Sequence, residues 1–368
     1  MKKLAVFLIT AILMASIVPA YCMDGVIWQK EFDTGVENEV SEGIAVDSNN
    51  NFIVVGYETP YVVKYDSKGN MLWNQATISY PRSVAVDSSG NIFVAGKGGI
   101  AKYDPNGTSL TLNSDPGAVG DIAIDSNNNV IAISNTHIFK YDSNLIVPGF
   151  PLPVSTTTNA ISVAIDSSNN IIIAGYDEDS GDRSFKIIKF DSSGNLLWAK
   201  TYGTTDDGVN DFAYGVTVDP NNNIIATGVS GNEMLTIKYS SSGSQLWAKT
   251  YKEGNYNTRG LGVVADSNGN IFVSSFFSDS LNQDNWLVLK YDSNGNVGWK
   301  SVNPGGFKGS ASDITVDSDN NIIATGAGWA ERPSYVDFFY TVKYQGEQKK
   351  KSLPIEFILK ILKKNKNK

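Results

Sequence analysis

Two phrases decide the reading of this chain. The first is Ser162-Val163-Ala164-Ile165-Asp166-Ser167-Ser168-Asn169-Asn170, and the second is Lys189-Phe190-Asp191-Ser192-Ser193-Gly194-Asn195-Leu196-Leu197-Trp198. Variants of both recur. The first is anchored by Asp47, Asp87, Asp125, Asp166, Asp219, Asp266 and Asp317. The second starts at Lys64, Lys102, Lys140, Lys189, Lys238, Lys290 and Lys343. Repeats of about 40 to 50 residues built on short apolar runs indicate propeller blades rather than helical solenoids. In each unit β-branched runs alternate with Asp, Asn and Gly, which tolerate tight hairpin turns. In the first unit the runs Gly43–Val46, Phe52–Gly56, Val62–Tyr65 and Asn70–Gln75 are the expected strands a to d.

The ends settle how such a ring would close. The last unit stops after strand c at Lys343-Tyr344. The segment Val26-Ile27-Trp28-Gln29-Lys30 has the pattern of strand d, as in Leu196-Leu197-Trp198-Ala199-Lys200. The expected fold is therefore all-β: a seven-bladed β-propeller of four-stranded antiparallel blades, with the N-terminal strand completing the last blade. Sharing a blade between the two ends leaves no long sheet edge unpaired.

The segments Ser83-Val84-Ala85-Val86-Asp87-Ser88-Ser89-Gly90-Asn91-Ile92-Phe93-Val94-Ala95-Gly96 and Lys189 to Trp198 resemble the bacterial and archaeal SBBP-type propeller repeats. The resemblance runs through nearly all of residues 24–344 and implies an exported seven-bladed propeller; it implies no reaction. Units two and three depart from it, with Thr111 and Gly149 where others have tryptophan.

Outside the repeats, Lys2 and Lys3 precede an apolar run from Leu4 to Val18, the pattern of a secretory signal peptide over residues 1–22. The propeller is assigned to 23–344, and 345–368 form a basic tail. Cys22 is the sole cysteine, so packing rather than disulfides must hold the fold. The expected location is extracytoplasmic, secreted or at the cell envelope. Net charge is −8; setting aside the basic leader and tail leaves the body at −16, which repels nucleic acid. In the tail, Ile355, Ile358, Leu359 and Leu362 fall at helical spacing among lysines, so residues 353–364 are a candidate peripheral membrane contact.

From anchoring Asp to Lys the spacing is 17, 15, 15, 23, 19, 24 and 26, the additions falling between strands b and c. In an up-and-down blade those connections share a face with the d–a connections, and rigid scaffolds place binding on variable loops. Candidate binding residues on that face and at the channel mouth are Glu42, Arg82, Asp121, Asp179, Asp207, Asp313, Trp329, Arg332 and Tyr335. Trp329 and Tyr335 are the expected exposed stacking platforms. Partners of that face would be a protein, peptide or glycan, and the protein is expected to be monomeric. Asp317-Ser318-Asp319 and Asp177-Glu178-Asp179 offer oxygen ligands, but plain turn chemistry is preferred over calcium and no cofactor is expected. His137 is the only histidine, and no catalytic constellation is recognisable. The expected function is non-catalytic binding or scaffolding. The alternatives are a carbohydrate-active hydrolase or lyase using acidic residues of that face, and a structural cell-surface component.

Overall fold

A computed structural model describes residues 25–346, apart from 33–38, 58–60, 147–150, 156–157, 179–181, 204–209 and 332–334. The leader and the basic tail thus lie outside the described residues. The chain forms seven four-stranded antiparallel sheets. Blade 1 has strands Val40–Val46, Phe52–Tyr57, Tyr61–Tyr65 and Met71–Ala76 from the channel outward. Blade 7 takes Lys308–Val316, Ile322–Glu331 and Tyr335–Tyr344 from the C-terminal end, and Val26–Phe32 from the N-terminal end as its outer strand. The closing strand runs from Trp28 opposite Lys343 to Phe32 opposite Phe339. Blade 3, which lacks the tryptophan, has an outer strand of only Leu152–Pro153.

The core lies between blades, where strands b and c of one pack on strand a of the next. Ile172, Ala174, Phe185 and Ile187 of blade 4 meet Val216, Ile224, Leu235 and Ile237 of blade 5 in one cluster. The branched and aromatic side chains among them, removed from water, each contribute about 1.5–3 kcal/mol.

The repeated polar residues prove to be fasteners. Asp166 Oδ1 accepts the N–H groups of Ser168 and Asn170, and its Oδ2 accepts the Asn170 side-chain amide. The same oxygen pairs with Lys189 Nζ at 2.8 Å, both side chains being under 5% exposed. The lysine also donates to the carbonyl of Ser241, in the c–d turn of blade 5, and Trp198 Nε1 donates to that carbonyl too. Lys64 and Trp73 converge likewise on Pro105, and Lys238 and Trp247 on Ser293. The glycine of the receiving turn has to be bare: Gly243 has φ +85°, and a Cβ there would meet the Trp198 ring at 3.0 Å. On the same edge, Asn128 and Ser88 exchange two hydrogen bonds across blades 3 and 2, and Asn169 with Ser126 and Asn222 with Ser167 do the same.

The inner strands begin earlier than the alternation of apolar residues implies. Strand a of blade 1 starts at Val40, and its register slips between Ser41 and Gly43, leaving Glu42 as an extra residue. That bulge breaks the period of two, so pattern reading loses the strand there.

Candidate functional site

Bulges at equivalent places supply the chemistry of the channel. The register slips by one residue at Glu42, Arg82, Ile161, Tyr214, Leu261 and Ser312, in blades 1, 2, 4, 5, 6 and 7. All six line a central cavity of about 850 Å³. A bulge re-aims its extra side chain, and here it turns an acid, a cation, a phenol, two aliphatics and a hydroxyl toward one space. Tyr57 and Tyr80 join them at the mouth, their rings 6.1 Å apart.

Just past this position, Ser83, Asp121, Ser162 and Asp313 tie blades together, whereas blades 1, 5 and 6 have glycine there. Asp313 Oδ2 accepts the Ile44 N–H of blade 1 at 2.9 Å, and its Oδ1 accepts the Ile314 N–H. Asp121 accepts from Ser83 Oγ of blade 2 at 2.6 Å and from the Val163 N–H of blade 4 at 2.8 Å. Burial raises both carboxyls. Asp313 is pushed up to about 7: the Ile44 and Ile314 donors oppose the rise, and the Asp121 and Glu42 carboxylates add to it. Glu42 is raised too, by burial, with Arg82 pulling the other way. An acid whose folded-state value is raised adds stability below the ordinary carboxylate range and loses it as pH climbs through the raised value. Asp313 should therefore titrate near neutrality. A carbon-13 carboxylate titration of aspartate-labelled protein is expected to show a midpoint within about one unit of 7 that disappears in Asp313→Asn. If every aspartate titrates below about 5, the buried-acid assignment is wrong.

Toward blades 4 and 5 the mouth carries an aromatic ledge. Phe212 stacks on Tyr214 at 5.6 Å and meets Tyr176 edge-on at 5.0 Å. Arg183 lies over Tyr176 and Phe212 and pairs with Glu178. Toward blades 2 and 3 the b and c strands are short, Ile92–Gly96 with Gly99–Tyr103 and Val130–Ile133 with His137–Tyr141. There a side notch of about 400 Å³ opens, lined by Tyr80, Arg82, Lys97, Val119 and Asn135 among others.

Of the residues expected from sequence, Glu42, Arg82, Asp121 and Asp313 come together in the central cavity. The two aspartates, however, have their oxygens engaged by neighbouring blades and by their own strands. Trp329 corrects the expectation of an exposed platform. It is a half-buried residue of strand Ile322–Glu331, and its indole N–H is shielded from water with no hydrogen-bond partner among the described residues. Tyr335 begins the facing strand. Asp179, Asp207 and Arg332 lie outside the described residues. Tyr57, Tyr80, Tyr214 and Lys97 were missed; the signal available was an odd bulky residue just before the small–branched alternation, as at Tyr214-Gly215-Val216.

Asp317 shows what the acidic turns do. Its Oδ1 accepts the N–H groups of Asp319 and Asn321, and its Oδ2 pairs with Lys343 and the Asn321 amide. No group of three or more His, Cys, Asp or Glu suited to a metal occurs among the described residues. His137 bonds to Thr136 Oγ1 at 2.8 Å and does not line the central cavity.

Residues 74–102 match the model of the SBBP β-propeller repeat family. Comparison with curated proteins gives no match. Among solved structures, the chain is similar to a catalytically inactive variant of virginiamycin B lyase from Staphylococcus aureus with quinupristin. Identity is 12% and the TM-score 0.56, over 86% of this chain and 98% of that one. The selenomethionine-substituted lyase from the same organism gives 12% and 0.57, over 86% and 99%. At that identity the likeness is one of fold. One SBBP β-propeller repeat is thus matched within blades 1 and 2, and the chain as a whole folds as a seven-bladed β-propeller.

Proposed function

We propose that the protein is an exported, non-catalytic binding module that takes its ligand at the channel mouth. The observation that carries this is the ring of bulges. Elsewhere the repeated polar residues are used to join blades, whereas Glu42, Arg82 and Tyr214 differ from blade to blade and face open space. A polar mouth of this size, rimmed by aromatic rings, suits a peptide or glycan of the cell envelope. The carboxylate-enzyme alternative finds less support, since both Asp313 oxygens already accept backbone donors. The lyase likeness adds no residue to that alternative.

Purified protein probed on glycan and peptide arrays is expected to bind a restricted set of ligands. The double change Arg82→Ala, Tyr214→Ala should lower that binding at least about tenfold with the melting temperature little altered. Array binding unmoved by the double change would place the ligand elsewhere and end this reading.

A further inference from the structure

The notch between blades 2 and 3 differs in charge from the rest of the molecule. The body is strongly acidic, yet none of the residues lining this notch is Asp or Glu. Two cations face it. Arg82 is exposed and has no ion pair or hydrogen bond among the described residues; Glu42, on the cavity side, attracts it only at longer range. Lys97 Nζ lies 5.3 Å from the centre of the Tyr80 ring. By contrast Lys189, Lys238 and Lys343 are held in buried ion pairs. An unpaired guanidinium and an ammonium lining one notch, with Asn135 also in its wall, suit a carboxylate.

Tyr80 gives the site its second element. Its backbone has φ +48°, a left-handed conformation that a bulky side chain rarely adopts. The residue is nevertheless 51% exposed, so burial does not account for the strain. Such outliers persist where the surroundings over-determine them, often at binding sites. The conformation sets a flat aromatic surface in the wall of the notch that Arg82 and Lys97 also line.

Much of the notch's backbone is already used, the Lys97 N–H by the Ser79 carbonyl. The Val119 N–H donates to the Gly96 carbonyl and the Gly120 N–H to the Ile133 carbonyl. With these three donors engaged, the notch offers an extended peptide no unbroken run of main-chain donors among the described residues, and recognition falls to the ring, the two cations and the amide. The geometry points to a carboxylate-bearing sugar, an acidic glycan unit of the uronate class, seated in the notch with its ring against Tyr80 and its carboxylate between Arg82 and Lys97. This rests on the binding-module reading and names the ligand class for one part of the mouth.

The test is titration calorimetry of the full protein with a short oligogalacturonate, its methyl-esterified form and a glutamate-rich peptide. The uronate should bind, weaken as salt rises, and lose at least about tenfold on Arg82→Gln or Lys97→Gln, while the ester fails. Tyr80→Gly should weaken binding without lowering the melting temperature, since glycine accepts the left-handed backbone freely. Equal binding of uronate and ester would overturn the carboxylate assignment. Tighter binding of the glutamate peptide would overturn the sugar assignment. In either case the binding-module reading survives. Array ligands that depend on Tyr214 and ignore all three notch changes would overturn the notch alone. No binding by any probe or array ligand would overturn both readings.

Discussion

A chain lacking Val26–Phe32 is expected not to hold its native fold. It should elute as aggregate or expanded monomer, and lose near-ultraviolet circular dichroism and a cooperative melt. The seven residues are the fourth strand of a blade whose other three come from the opposite end of the chain. Trp28 stacks on Phe52 of blade 1 at 4.8 Å and donates to the Ser67 carbonyl of the blade 1 turn. Gln29 Oε1 accepts from the Tyr340 hydroxyl. Deletion therefore opens the edge of strand Tyr335–Tyr344 and removes the wedge between blades 7 and 1 together. The lost ladder, stacking and apolar burial are comparable to the whole net stability of a domain, about 5–15 kcal/mol. The single change Trp28→Ala should cost about 2–3 kcal/mol, below a core tryptophan because the ring is half-buried. A synthetic peptide of residues 24–33, added in excess to the refolding truncated chain, should restore the melt. A truncated protein melting as sharply and as high as its parent would show that the closing strand is dispensable.

This closure was legible because Trp28 and Lys30 repeat the spacing of Trp198 and Lys200, and a repeat states its phase wherever it is interrupted. The same redundancy made the blade count and the turn chemistry readable. What repetition cannot show is which residue faces which across blades. Asp166 and Lys189 are 23 positions apart, and a turn explanation of the aspartate was sufficient by itself, so the buried ion pair went unread. The mouth was half legible. Arg82 and Glu42 stood out as charges where other units are neutral, but the bulges that aim them are a backbone event without a residue signature. Trp329 misled for the opposite reason. Lying in a variable connection it looked free, while pairing of Trp329 with Lys308 and Asp337 extends the hairpin far enough to enclose its indole nitrogen.

The largest point-mutation effect is expected at Lys189. Lys189→Met should destabilise by about 3–5 kcal/mol at neutral pH, because it strands a buried carboxylate rather than because the ion pair is itself strongly favourable. Burial alone would raise the Asp166 carboxyl, but Lys189, the Asn170 amide and the turn N–H groups together hold it below its ordinary range. A depressed carboxylate contributes stability that is present above the ordinary range and lost as pH falls through the depressed value. In Lys189→Met the carboxyl loses one of its main depressing partners and takes up its proton at higher pH. The gap between parent and variant should then narrow steadily on acidification from pH 7 toward about 3, as followed by denaturant unfolding. Lys102→Met in blade 2 is the internal control. Its ammonium sits 5.3 Å from the centre of the Phe93 ring and donates to the Ser143 carbonyl, with no ion pair to Asp87. No carboxylate partner is stranded there, so the loss should be only about 1–2 kcal/mol and nearly flat with pH. Equal losses with equal pH dependence at the two lysines would mean that packing of the aliphatic stem, and not the ion pair, fastens one blade to the next.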